Sequence, residues 1–95
     1  MLTDIYKNDT VVIFTADWCK HCPSVKNMCN EYSPVPVVEI DVEYDELLAE
    51  REDVRGLPTV KLMKGGYIID ELRGAQDRRK IQNAIQSAYG RVKNG

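Results

Sequence analysis

The chain has 95 residues, of which 43% are hydrophobic and 29% charged, and it contains only 6 Gly and 4 Pro. This length and composition are typical of a single globular domain over residues 1–95, and they exclude a disordered, collagen-like or low-complexity chain. Thirteen Lys and Arg oppose 15 Asp and Glu, which gives a net charge of −2. A charge this small argues against nucleic acid or an anionic membrane as the main partner.

The start of the chain and its apolar runs set the expected compartment. Asp4 precedes any apolar run and no small-residue cleavage site follows, which is not typical of a secretory signal. The longest apolar run, residues 11–14, is far below the roughly 18 residues that a membrane helix needs. We therefore expect a cytoplasmic monomer that binds neither membrane nor nucleic acid.

The first half of the chain predicts a parallel strand–helix–strand unit. Residues 10–14 form a continuous β-branched and aromatic run, typical of a strand that is buried on both faces. From Cys19 to about Tyr32, apolar side chains recur at helical spacing. Two prolines end this helix, and residues 37–41 predict a second strand. A short helical start over residues 2–6 is also expected.

The middle of the chain predicts a second, shorter helix. Its period is marked by Tyr44, Leu47, Leu48 and Arg51. Eight acids lie between residues 39 and 53, and such a run indicates a solvated helix face. We interpret four tyrosines of the chain as packing residues, namely Tyr32, Tyr44, Tyr67 and Tyr89.

The last third predicts a β-hairpin followed by a helix. Residues 59–64 and 67–73 read as antiparallel strands joined by Gly65 and Gly66, which tolerate the positive φ of a tight turn. Asp77 is suited to cap a final helix whose apolar residues keep the helical period up to about Gly90.

Two of the three cysteines, Cys19 and Cys22, are separated by two residues where a strand leads into a helix. This spacing permits a disulfide with Cα atoms about 5.5 to 6 Å apart. Cys19 would lie at the helix amino terminus, where free N–H groups and the helix dipole stabilise a thiolate, so it is the predicted nucleophile. Cys22, one turn further and facing the core, is the predicted resolving thiol.

The residues between the two cysteines are predicted to tune them. Positive charge on Lys20 or His21 favours the Cys19 thiolate, which stabilises the reduced dithiol and makes the pair a stronger oxidant. A plain surface role for His21 is the alternative. Cys29 is predicted to fill the core. A zinc site built from Cys19, His21, Cys22 and Cys29 is disfavoured, because donors spread along one helix cannot converge on one ion.

Several motifs resemble the thioredoxin family. The active-site stretch of that family is similar to FTADWCKHC at residues 14–22, and its proline loop is similar to RGLPT at residues 55–59. Gly65-Gly66 falls at the family's hairpin turn and Gly74 at its groove glycine. The resemblance covers about residues 10–90 in order. It implies an α/β chain with a minimal thioredoxin fold, as in small thioredoxin- and glutaredoxin-like proteins of archaea and bacteriophages.

The implied architecture is a four-stranded mixed sheet in the order 2-1-3-4, flanked by three main helices. The resemblance also implies a peptide groove, formed by Trp18, Leu57, Pro58, Gly74 and Ala75. Pro58 is expected to be cis, which would turn the chain sharply and leave the Leu57 backbone free to pair with a substrate strand.

One departure from the family concerns the proton of Cys22. Thioredoxins commonly bury an aspartate six residues before the first cysteine, paired with a lysine on the next strand, and the matching positions here are Ile13 and Val37. The proton acceptor for Cys22 is therefore open, with water, or less favourably His21, in that role. We expect a weaker or shifted pH dependence of the Cys22 step.

The predicted function is that of a thiol–disulfide oxidoreductase, a thioredoxin-like enzyme that reduces protein disulfides through its Cys-Lys-His-Cys dithiol. Its partners would be disulfide-containing proteins and, as electron donor, thioredoxin reductase or glutathione. No cofactor or metal is expected beyond the Cys19–Cys22 disulfide. The alternatives are a glutaredoxin-like or disulfide-isomerase-like activity, favoured by Lys20 and His21, and a non-catalytic clamp that grips one protein partner in the groove.

Overall fold

The computed structural model describes residues 8–93, and over this range a four-stranded sheet carries helices on both faces. The strands are β1 (Thr10–Thr15), β2 (Val37–Asp41), β3 (Thr59–Lys64) and β4 (Tyr67–Arg73), and the helices are α1 (Cys22–Tyr32), α2 (Glu46–Arg51) and α3 (Arg78–Tyr89). The order is β2-β1-β3-β4, with β1 and β2 parallel and the other pairs antiparallel. The predicted mixed sheet and its order are confirmed. The predicted helical start at residues 2–6 lies outside the described residues.

The central strand β1 is buried at every position. It pairs with β2 on one side and β3 on the other, so no edge of it is open to solvent. The strand runs one residue further than predicted, because Thr15 still pairs with Asp41 of β2. Its continuous β-branched and aromatic sequence fits this position, since apolar side chains are needed on both faces.

Alternate residues of the sheet point to opposite faces and pack into two separate hydrophobic cores. On one face the sheet packs against α1 and α3, with Ile13 and Leu62 of the sheet against Val25 and Ile85 of the helices. On the other face a smaller core forms between β1, β2, β3 and α2, with Phe14 fully buried. Among residues 8–93 no helix is long and apolar enough to cross a membrane.

The start of α1 corrects the sequence prediction. The helix begins at Cys22, with His21 as its N-cap, and not at Cys19. Pro23 explains the difference, because it has no N–H to donate to the carbonyl of Cys19 and is tolerated only in the first helical turn. Cys19 instead lies in a turn, where its N–H donates to the carbonyl of Ala16 at 3.0 Å.

Two of the four tyrosines predicted to pack do not. Tyr44 is 85% exposed and Tyr67 is 75% exposed. Tyr44 precedes α2, which has fewer than two turns and turns only Leu48 and Ala49 inward, while Tyr67 lies on the edge strand β4 beside the hairpin turn.

The other two tyrosines pack as predicted. Tyr32 is the last residue of α1, and its side chain is buried in the core between the helices and the sheet. The Tyr89 hydroxyl donates to the carbonyl oxygens of Met63 at 2.8 Å and Thr10 at 3.2 Å, so it ties α3 to β3 and β1.

The predicted turn and cap residues take the expected roles. Gly65 and Gly66 adopt φ values of 61° and 86° between β3 and β4, which favours glycine at both positions. Asp77 is the N-cap of α3, and its carboxylate accepts from the Lys80 N–H at 2.9 Å. The helix ends where Gly90 takes a left-handed conformation.

Removing the α3 cap should destabilise the protein measurably. We expect Asp77→Ala to lower the free energy of unfolding by about 1 kcal/mol, because the substitution leaves a helix N–H without its partner. Asp77→Asn keeps an acceptor oxygen at the same place and serves as the matched control. Urea unfolding followed by circular dichroism checks this; equal losses in both variants would contradict the capping role.

Candidate active site

The candidate redox-active group is the disulfide between Cys19 and Cys22, whose Cα atoms are 5.4 Å apart. Cys22 is the first residue of α1 and is 3% exposed, whereas Cys19 in the preceding turn is 9% exposed. The order of exposure agrees with the order predicted from sequence. Cys19 is therefore the more accessible residue of the pair.

The first turn of α1 favours negative charge near the two sulfurs. It holds no acidic residue, and no side chain caps it. Pro23 supplies no N–H, but the N–H groups of Cys22 and Ser24 are among those that precede the first intrahelical bond, which Val25 makes to the carbonyl of His21. The positive end of the helix dipole therefore lies beside the disulfide.

Lys20 and His21 are both exposed. Neither lines the cavity that both cysteines border or the cavity beside Trp18 and Leu57. Their influence on Cys19 is therefore electrostatic and screened by solvent.

A polar cavity of about 220 Å³ lies on one side of the disulfide. Both cysteines border it, together with Thr15, Ala16, Asp17, Pro23, Lys26, Asn27 and Glu39. Inside this lining Lys26 Nζ lies 2.8 Å from Glu39 Oε1, and the Thr15 hydroxyl donates to Glu39 Oε2 at 2.8 Å. The hydrogen bonds from Lys26 and Thr15 hold the pKa of the Glu39 carboxyl below its usual range.

Sequence reasoning missed this cluster of Thr15, Lys26 and Glu39. Lys26 follows Cys22 by four residues, one helical turn, which puts both on one face of α1. Glu39 is placed by the pairing of β2 with β1, which sets it opposite Ile13. The helical spacing was a usable signal, whereas the strand register could be read only from the folded sheet.

An apolar cavity of about 210 Å³ lies beside Trp18 and Leu57. The rest of its lining comprises Val42, Val54, Arg55 and Gly56, none of which was predicted to line the groove. Trp18 is 68% exposed. Within residues 8–93, the N–H and C=O of Leu57 have no hydrogen-bond partner, as a backbone open to strand addition requires.

The other three residues of the predicted groove are Pro58, Gly74 and Ala75. The Leu57–Pro58 peptide bond is cis and Pro58 is buried. The Pro58 carbonyl accepts from the Gly74 N–H at 2.8 Å, which brings Gly74 next to the proline loop. Ala75 follows it and is exposed.

The third cysteine is chemically separate from the pair. Cys29 is fully buried between α1 and the sheet, and this burial raises the pKa of its thiol to about 12. Over residues 8–93, no group of three or more His, Cys, Asp or Glu side chains is placed to hold a metal ion.

Comparison with known proteins assigns the family. The family model described as Thioredoxin matches residues 2–87. Thioredoxin of Gallus gallus is 33% identical over 81 residues, which cover 81% of this chain and 76% of that protein. This chain belongs to the thioredoxin family. Its Cys19–Cys22 pair makes it a thiol–disulfide oxidoreductase.

Two further matches broaden the family assignment. The structure of a mutant thioredoxin from Halobacterium salinarum superposes with a TM-score of 0.82 at 33% identity, covering 92% of this chain and 81% of that one. Human Protein disulfide-isomerase A4 is 39% identical over 71 residues, which cover 65% of this chain. The chain spans only 11% of the length of that relative.

The buried thiol of this thioredoxin-family chain should be unreactive. Because the pKa of Cys29 is raised to about 12, its thiolate is negligible at any pH well below that value, and alkylating agents need the thiolate. After reduction, iodoacetamide at pH 8 should modify Cys19 and leave Cys29 untouched until the chain is unfolded. Peptide mass spectrometry of native and urea-unfolded samples checks this; rapid native labelling of Cys29 would contradict it.

Proposed function

We propose that this thioredoxin-family chain reduces disulfides in other proteins, with Cys19 as nucleophile and Cys22 as resolving thiol. The Cys19 thiolate attacks a substrate disulfide, forms a mixed disulfide and releases one substrate thiolate. Cys22 then attacks the Cys19 sulfur, closes the Cys19–Cys22 bond and releases the second thiolate. The substrate gains two electrons, and two protons complete its thiols. The greater exposure of Cys19 carries this assignment.

Substrate binding is proposed at the apolar side of the disulfide. Trp18 and Leu57 border a cavity suited to an apolar side chain, and the unpaired Leu57 backbone offers two hydrogen bonds to an extended peptide. Gly74 is hydrogen-bonded to Pro58, and we propose that it and Ala75 leave room for the peptide backbone because their side chains are missing or small.

The proposed electron donor is a thioredoxin reductase or glutathione, acting on the oxidised pair without a further cofactor. Membership of the thioredoxin family supports thiol partners of this kind. We also propose that the chain acts as a monomer in the cytoplasm, where thiols are kept reduced.

A second candidate is disulfide isomerisation. It is favoured by the relative named Protein disulfide-isomerase A4 and by the two basic residues, Lys20 and His21. The two candidates differ in direction, because an isomerase restores activity to scrambled ribonuclease in a glutathione buffer, whereas a reductase is more effective at cleaving insulin disulfides with thioredoxin reductase as donor.

Serine in place of Cys22 should stop the reaction after its first step. We expect Cys22→Ser to accumulate a stable mixed disulfide with insulin through Cys19 and to lose insulin-reducing turnover, because no thiol remains to attack the Cys19 sulfur. Non-reducing gels and a turbidity assay give both readouts.

Two cysteine variants control this experiment. Cys19→Ser should form no mixed disulfide, and Cys29→Ser should behave as the unaltered chain because its sulfur is buried. A Cys22→Ser variant that binds its partner unchanged, without a mixed disulfide, would support a non-catalytic clamp and overturn the proposal.

The potential of the pair should be more oxidising than the value of about −270 mV of thioredoxin. Lys20 and His21 are basic residues beside a helix start, and one pKa unit of thiolate stabilisation corresponds to about 30 mV. Replacing both with Gln should lower the potential by about 10 to 30 mV. Equilibration with glutathione, followed by alkylation and measurement of the mass shift, checks this. A potential of the unaltered chain at or below that of thioredoxin would refute it.

A further inference from the structure

The second chemical step needs a group to take the Cys22 proton. Cys22 is 3% exposed, and burial disfavours a thiolate. Ile13 of β1, six residues before Cys19, is fully buried among apolar side chains and offers no acceptor. An acceptor must therefore come from elsewhere around the sulfur.

The polar cavity supplies two carboxylates. Asp17 and Glu39 both border the space that Cys19 and Cys22 border. Its volume of about 220 Å³ leaves room for several waters between a thiol and a carboxylate. The two differ in how they are held, because Asp17 is exposed in the loop after β1, whereas Glu39 is fixed from two elements.

Glu39 is positioned by Lys26 of α1 and Thr15 of β1, each at 2.8 Å from a different carboxylate oxygen. Lys26 lies one helical turn after Cys22, so the carboxylate is drawn towards the helix that carries the thiol. Its side chain is 40% exposed, so it also exchanges protons readily with solvent.

We propose that Glu39 accepts the Cys22 proton, through water in the polar cavity, as Cys22 attacks the Cys19 mixed disulfide. This inference rests on the proposed role of Cys22 as resolving thiol. The Cys22 S–H bond breaks and its proton passes to the Glu39 carboxylate. The Cys22–Cys19 bond forms, the bond from Cys19 to the substrate sulfur breaks, and the electron pair leaves on that sulfur. Glu39 then returns the proton to solvent or to the departing thiolate.

The groups around Glu39 keep its carboxyl ionised and therefore able to accept a proton. Lys26 from α1 and the Thr15 hydroxyl from β1 lower the pKa of the carboxyl, so the ionised form persists to acid pH. Partial burial opposes this effect, because it disfavours the charged form. Two further acids lie close in the chain or in the cavity lining, namely Asp41 two residues along β2 and Asp17 in the loop after β1. The carboxyl is therefore ionised at neutral pH and available as an acceptor.

The test measures the Cys22 step alone. Reduced protein reacts with dithiobis-nitrobenzoate at Cys19 and releases one nitrothiobenzoate; attack by Cys22 releases a second at a rate independent of reagent concentration. We expect this second rate in the unaltered chain to change little between about pH 6 and pH 9. In Glu39→Gln it should follow the Cys22 thiolate alone and fall at least about tenfold at pH 6, with little change at pH 9.

Two variants separate a proton acceptor from a structural role. Lys26→Gln removes the main cause of the lowered Glu39 pKa, so the acid limb of the profile should move to higher pH without disappearing. Asp17→Asn, the matched control at the same cavity, should keep the unaltered profile.

The outcomes are distinct. An unaltered profile in Glu39→Gln, or an equal loss in Asp17→Asn, would overturn the assignment of Glu39 while leaving the proposed function intact. A single release of nitrothiobenzoate in the unaltered chain, with no second phase, would show that Cys22 does not resolve and would overturn the proposed function itself.

Discussion

The geometry of the site depends on the junction between β1 and α1. Because β1 is paired on both sides and buried throughout, its end at Thr15 is fixed relative to the whole sheet. Because Pro23 has no N–H, α1 begins at Cys22 and not earlier. The six residues between these two fixed points carry Trp18 and Cys19, and the disulfide closes the turn onto the first helical residue.

Two cavities near the junction of β1 and α1 have different chemistry. Trp18 and Leu57 border an apolar cavity with an unpaired backbone beside it, whereas Lys26 and Glu39 border a polar cavity. This division separates the proposed peptide-binding surface from the proposed site of proton transfer. The strand register enforces it, since β2 contributes Glu39 to the face covered by α1, while Val42, just beyond the end of β2, contributes to the apolar side.

Local signals predicted most of the fold. The bounds of β3 and β4 follow from the glycine pair between them and from Pro58 before them, and Asp77 marks the start of α3. Such signals depend only on residues a few positions apart, so they can be read without knowing how distant segments pack. The predicted start of α1 was wrong because the apolar spacing extends to Cys19, although Pro23, the second residue of the observed helix, already limits where the helix can begin.

Longer-range features escaped prediction for a physical reason. Tyr44 was assigned to the core from helical spacing, yet α2 is too short to bury more than one narrow stripe. The contact between Lys26 and Glu39 joins a helix and a strand, so it depends on how the sheet pairs and where the helix crosses it. Spacing within either segment carries no information on that crossing.

The apolar pair at Ile13 and Val37 has an energetic consequence for the site. A buried ion pair loses hydration that its mutual attraction barely recovers, and apolar side chains in its place are often neutral or stabilising. Here Ile13 completes the core, and the charged pair of Lys26 and Glu39 lies at the rim, each about two-fifths exposed. Such a pair contributes little to stability, so it is free to change protonation without disturbing the fold. A carboxylate at the rim of the cavity therefore separates the acid–base chemistry of the second cysteine from the packing of the core.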